Sequence, residues 1–362
     1  MSDSVFITDD FLLENKCAQR LYHEYAAGMP ILDFHSHLSP QSIASDGRWG
    51  NLAQIWLSDD HYKWRAMRSN GVPERFCTGN ASDWEKFDQW AATVPFLLRN
   101  PLYDWTHLEL ARYFDISDRL LCRETAVGVW DETGRKLALP EFSCRALVKK
   151  ARVTHICTTD DPVDSLTSHA MIAADESFGA VVLPTWRPDR ALAIENVAEF
   201  NAWTDKLAAA ADVEIRDFNS YIGALRKRHA FFHRAGCRLA DHALDMIDAA
   251  GYTDKEVEAV FAKARSGMAP DAEGFAKFRS AMMYEFGIMN HEKGWTQQFH
   301  IGAMRCNSTR AALTVVPNTG ADSIGDSGIA RPLSRLLDRL DRTDQLAKTI
   351  LYNINPRDNA LL

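Results

Sequence analysis

The chain has 362 residues, 46% of them hydrophobic and 25% charged, and a net charge of -8. That is an ordinary globular composition, long enough for two or three domains or for one large barrel with insertions. Lys and Arg are scattered and form no basic stripe, which argues against a nucleic-acid partner. No apolar run approaches the ~20 residues of a membrane helix. Met1 to Asp10 holds three Asp and no Lys or Arg, so it does not read as a secretory or transit signal. The seven cysteines (17, 77, 122, 144, 157, 237 and 306) are odd in number and free of Cys-x-x-Cys, which predicts reduced thiols in a cytoplasmic protein.

In chain order, residues 8–28 carry Leu12, Leu13, Cys17, Leu21 and Tyr25 at helical steps and predict an amphipathic helix stopped at Gly28. The apolar run from Met29 to Phe34 predicts a buried strand that ends in Asp33-Phe34-His35-Ser36-His37-Leu38. Side chains two apart on a strand share a face, so His35 and His37 could bind one metal ion. Two solvated loop histidines are the plainer alternative. From about 48 to 130 the chain is rich in Trp and helical in spacing, which predicts a helical insertion with a tryptophan-rich core. Ser82-x-x-Glu85, Thr106-x-x-Glu109 and, later, Thr253-x-x-Glu256 fit the capping box at a helix start. Within the insertion, His61 and Tyr62 have the chemistry of a proton relay.

After the insertion, short β-branched runs alternate with helical stretches. Seven strands are identifiable, near 31, 153, 181, 238, 296, 322 and 349. Alternation of this kind predicts a parallel sheet in an α/β fold. An eight-stranded barrel would need one strand more. Polar residues fall where these strands stop: His35 and His37 on the first, Arg187 on the third, Asp241 on the fourth and His300 on the fifth. Such ends are where parallel-sheet enzymes gather their chemistry. Each residue has an ordinary alternative: a loop arginine, a helix cap or a core histidine. Arg305 is a second arginine suited to a carboxylate. No lysine stands at the end of the fourth strand to bridge two metals, so one divalent metal is expected, zinc first because it accepts His and carboxylate ligands.

Several longer segments together resemble the uronate (glucuronate) isomerase family of the amidohydrolase superfamily. They are Asp33–Leu38, Trp56–Arg68, Thr158–Pro162, Pro184–Asp189, Phe299–Arg305 and Ala347–Asp358, in family order and spread over nearly the whole chain. The resemblance implies a distorted (β/α)8 TIM-type barrel over residues 31–362, with a mostly helical insertion at 48–145 and an N-terminal helical arm at 1–30. It implies an aldose–ketose isomerase acting on D-glucuronate and D-galacturonate through an enediol. His35 and His37 would be metal ligands, and His61 and Tyr62 would act near C1 and C2. Arg187 and Arg305 would hold substrate, with Asp241 and His300 completing the polar wall. The implied partner is a small uronate, with room for a homo-oligomer. The family's eighth-strand Asp, a third metal ligand, is not found, which predicts a truncated chain of weak activity. A metal-dependent hydrolase of the same superfamily and an inactive fragment are the alternatives.

Overall fold

The computed structural model describes residues 5–315 and 319–362, so the first four residues of the expected N-terminal arm lie outside it. The chain divides into two compact units. One comprises residues 1–32, 41–154 and 306–322, and the other residues 33–40, 155–305 and 323–362.

The first unit is helical. Its helices include His61–Ser69, Asp83–Thr93, Pro101–Phe114 and Ala126–Leu137, and its core gathers Trp56, Met67, Phe87, Trp90, Leu110 and Val129. The tryptophan-rich stretch therefore does build a core, with Trp90 and Phe87 fully buried. Ser82 caps Asp83–Thr93 through the reciprocal box with Glu85, as its spacing predicts. Thr106 does not start a helix. Asn100 and Pro101 open that helix earlier, because an Asn cap followed by Pro at the first position is the stronger signal. Thr106 is left in the interior, where its hydroxyl donates to the carbonyl of Leu102 at 2.7 Å. The predicted helix at 8–28 is also corrected. A short α-helix, Lys16–Arg20, passes into a π-helical turn, Leu21–Ala26. The π turn breaks the 3.6-residue period, and Leu12, Leu21 and Tyr25 end up exposed.

The second unit is α/β, as expected. The strands are β1 Ile31–Asp33, β2 Val153–Cys157, β3 Val181–Leu183, β4 Leu239–Leu244, β5 Thr296–Ile301, β6 Ala303–Met304, β7 Ser323–Ile324 and β8 Lys348–Asn353; β1 and β2 each begin in the first unit. They form a sheet of order β1-β2-β3, a sheet of order β4-β5-β8, and the pair β6-β7. Pairing is parallel from β2 to β3, β4 to β5 and β5 to β8. Single parallel bridges, Asp160 to Trp186 and Trp186 to Ala240, join the ends of the two larger sheets. The helices Val197–Ala211, Phe218–Arg234, Asp254–Arg265, Ala272–Glu292 and Ala330–Asp341 supply most of the core with Phe200, Phe232, Phe278, Phe286, Leu336 and Leu340. Gly287 is required where two of them meet, since a Cβ there would lie 2.6 Å from a methyl of Leu340.

Two strand expectations change. The strand near 322 pairs antiparallel with β6, so it closes a small ribbon and does not extend the parallel order. The run from Met29 to Phe34 is not buried: Ile31, Leu32 and Phe34 are each about half exposed. β1 lies at the outer edge of its sheet, which leaves one side uncovered among the described residues.

Candidate active site

β4 and β5 carry the centre of the site. Their register places Asp241 opposite Gln298 and Ala243 opposite His300. Asp241 is thus in the middle of β4, not at its end, because parallel pairing with β5 carries the strand on to Leu244. Strand alternation sends Asp241 and His242 to opposite faces. His242 packs between the rings of Phe286 and Phe299, and burial lowers its pKa to about 4.

Asp241 is fully buried and ringed by positive or protonatable groups. His300 Nδ1 lies 2.7 Å from Oδ1, while Arg187 Nη1 and His35 Nδ1 lie 3.1 and 3.8 Å from Oδ2. Burial alone would raise the pKa of Asp241. The close approach of His300 and the charge of Arg187 outweigh it and hold the carboxyl below its ordinary value. None of these contacts has the direction of a good hydrogen bond: both carboxylate oxygens and His300 Nδ1 are buried without a hydrogen-bonded partner. Charge without directed donors suits a cation ligand set better than a self-contained ion pair. One ligand atom from each of His35, Asp241 and His300 lies within 4.8 Å of the others, so the three could hold a metal ion. Burial also lowers the pKa of His35, against the pull of Asp241, which keeps a ring nitrogen free to coordinate.

The expected ligand pair is therefore rearranged. The backbone of β1 ends at Asp33, so His35 and His37 follow the strand and the period-2 rule does not govern them. Ser36 N donates to the carbonyl of Cys157 at 2.9 Å and fixes the turn between them. His35 joins the triad. His37 is exposed, with its ring edge-on to that of His35 at 5.1 Å. Asp241 and His300, expected as polar wall, stand as the other two potential ligands.

Arg187 bridges two carboxylates. Its Nε lies 2.7 Å from Asp189 and its Nη1 3.1 Å from Asp241, while Asp189 also accepts from the N–H of Ala243 at 3.1 Å. Much of its donor fork is thus engaged within the protein. Arg305 is exposed just past β6. In the other unit, His61 and Tyr62 open the helix His61–Ser69, where the Asp60 carboxylate accepts from Tyr62 N and Lys63 N. Their rings lie 4.3 Å apart, and Tyr62 is half exposed.

Two site residues escaped the sequence reading. Tyr352 on β8 stacks on His300 at 4.4 Å and donates its hydroxyl to Gln298 at 2.7 Å. Only the β5–β8 register, which pairs His300 with Tyr352, could have revealed it. Asp189 lies inside the segment Pro184–Asp189, where its spacing of two from Arg187 was the available signal.

Comparison with known proteins identifies the family. A family model described as glucuronate isomerase matches residues 3–362. The uronate isomerase of Cellvibrio japonicus is 55% identical over 357 residues, covering 99% of this chain and 76% of that protein. The uronate isomerase of Bacteroides thetaiotaomicron is 51% identical over 358 residues, with the same shares covered. A crystal structure of uronate isomerase from Thermotoga maritima superposes with a TM-score of 0.91 at 34% identity, over 98% of this chain and 76% of that one. Against the expected truncation, the family match takes in residues 3–362 of this chain. In length, the chain spans about three quarters of these relatives, 76% of each.

Proposed function

The chain belongs to the uronate isomerase family, and on that premise we propose that the cluster around Asp241 is its metal-assisted isomerase site. The reaction is an intramolecular oxidoreduction that interconverts D-glucuronate with D-fructuronate and D-galacturonate with D-tagaturonate. Its relatives' function decides against the hydrolase alternative. The observation that carries the site assignment is a fully buried carboxylate facing two imidazoles and a guanidinium, with both its oxygens lacking a directed donor.

Moving hydrogen from C2 to C1 requires a group that takes the C2 proton and positive charge where the carbonyl oxygen becomes negative. His35, Asp241 and His300 would hold one divalent metal, zinc first for this nitrogen and oxygen set, with His37 beside them. Bound there, the metal supplies Lewis-acid charge for the oxygen. Arg187, fixed by Asp189 and Asp241, adds a permanent positive charge and presents its remaining N–H to the sugar acid. Arg305 is read as the second substrate arginine. For His61 and Tyr62 the motif is the support: Tyr62 is read as the proton-transfer group and His61 as its neighbour toward the substrate hydroxyls. The parallel strands are read as part of a (β/α)8 barrel over residues 31–362, with the insertion at 48–145 and the arm at 1–30. Among the described residues no helix is long and apolar enough to cross a membrane. The protein is read as cytoplasmic, working on a small uronate with no nucleic-acid or membrane partner.

The test is conversion of D-glucuronate and D-galacturonate by the zinc-supplemented chain in deuterated water. Product carrying deuterium at C1 is expected for an enediol open to solvent. Absence of any uronate isomerisation would sink the reading. In the same assay Tyr62→Phe should keep the wild-type metal content and lose about 10²-fold in kcat, the usual scale of a lost general acid or base. Full activity of that variant would remove Tyr62 from the mechanism.

A further inference from the structure

We propose that Asp160 is a positioning residue, a buried clamp that sets the backbone from which Arg187 and Asp241 are presented. The proposal rests on the reading of those two residues as parts of the active site. Asp160 follows β2 and is 4% exposed. It makes three hydrogen bonds to the segment Thr185–Arg187. Its N–H donates to the carbonyl of Thr185 at 3.0 Å, its Oδ2 accepts from the N–H of Thr185 at 3.2 Å, and its carbonyl accepts from the N–H of Arg187 at 2.9 Å. Between these contacts lies Trp186, also fully buried. Trp186 N donates to Leu239 at 3.1 Å, and its carbonyl accepts from the N–H of Asp241 at 2.9 Å. The segment is thus strung between Asp160 on one side and β4 on the other. A shift at Thr185 would carry both the stem of Arg187 and the backbone of Asp241 with it.

Buried groups behind Asp160 lock its carboxylate. Thr158 Oγ1 donates to Asp160 Oδ2 at 2.7 Å and lies 2.8 Å from His169 Nε2. The hydroxyl has one hydrogen. With that hydrogen on the carboxylate, Thr158 accepts from His169, which fixes the Nε2–H tautomer. His169 and Thr158 are as deeply buried as Asp160. Burying a carboxylate costs stability that an apolar side chain of similar size would not. A mere stop at the end of a strand does not need one. What the carboxylate adds is an acceptor aimed at the N–H of Thr185, two residues past the end of β3, where the ladder no longer supplies one.

Steady-state kinetics with D-glucuronate on the full chain test the clamp through a double-mutant cycle of Asp160→Ala and Arg187→Ala. Asp160→Ala alone is expected to lower kcat/KM by about 10²-fold, the scale of an ångström-sized misplacement. In the Arg187→Ala background the same change should cost several-fold less than in wild type, because the part of the loss that passes through Arg187 is already gone while the part carried by the backbone of Asp241 remains. Asp160→Asn keeps an acceptor for Thr185 and should stay within about threefold of wild type. Additive losses, or an Asp160→Ala variant with wild-type kinetics, would overturn the clamp alone. An Arg187→Ala variant with wild-type kinetics would overturn the reading of Arg187 beneath it. Should Asp160→Ala not fold, Asp160→Ser, which keeps a hydroxyl for Thr158 but does not reach Thr185, is read by the same rule.

Discussion

Asp241→Ala should lower uronate isomerase kcat/KM by at least ~10³-fold and remove bound metal from the purified chain. Three groups depend on this one carboxylate: His300 at 2.7 Å, Arg187 at 3.1 Å and His35 at 3.8 Å. Removing it deletes the only acid of the triad and leaves the guanidinium of Arg187 in a buried setting with Asp189 as its remaining carboxylate. Breaking a buried pair from one side costs roughly 3–5 kcal/mol, so the variant should also melt earlier. Asp241→Asn separates the two effects. It keeps the shape and removes the charge, so it should recover much of the stability while leaving activity and metal content low. Elemental analysis and kinetics on both variants provide the check. Wild-type zinc content in Asp241→Asn would remove Asp241 from the ligand set.

The longer parallel strands, most of the helices and the tryptophan-rich core were legible in the sequence because they rest on periodicity and on caps such as Ser82 and Thr253; the two-residue strand Ala303–Met304 was not. What could not be read was anything that depends on register. Asp241 looks like a strand end until β5 pairs with it through Leu244. Tyr352 looks like an ordinary strand tyrosine until it faces His300. His35 and His37 look equivalent by alternation, yet a turn pinned by Ser36 separates a half-buried ring from an exposed one. The individual residue types at the site were therefore visible, and their grouping was not. Arg187 shows the same limit: its sequence neighbours suggest a free clamp for a substrate, while the fold supplies two internal carboxylates.

His229→Phe should make the protein's stability markedly less sensitive to acid. His229 is buried in the helix Phe218–Arg234, stacked on Trp295 at 3.8 Å and edge-on to Trp186 at 5.3 Å. Its Nε2 lies 3.2 Å from Asn290 Oδ1, and Asn290 in turn donates its amide to the uncharged side chain of Gln297 at 3.3 Å. Burial pushes the imidazole pKa down to about 3, with the Asn290 bond opposing and the charges of Lys293, His233 and Arg226 assisting. The sign follows directly. Between the unfolded value near 6.5 and the folded value of about 3, the unfolded chain binds a proton at this site and the folded chain does not. Stability contributed by neutral His229 is complete above pH ~6.5 and is lost as pH falls, by roughly 1.4 kcal/mol for each pH unit until the folded group titrates. Asp160 runs the opposite way, since burial raises its pKa to about 6 and the folded chain takes up its proton first. Only a difference between variants isolates one group. Urea unfolding of wild type and His229→Phe, followed by tryptophan fluorescence at pH 7.5 and pH 5, supplies that difference. The variant should be the less stable protein at pH 7.5, because Asn290 loses its partner at a cost of about 1–3 kcal/mol. By pH 5 that gap should close by about 2 kcal/mol. A gap that stays constant with pH would mean that His229 is not held neutral by its burial against Trp295.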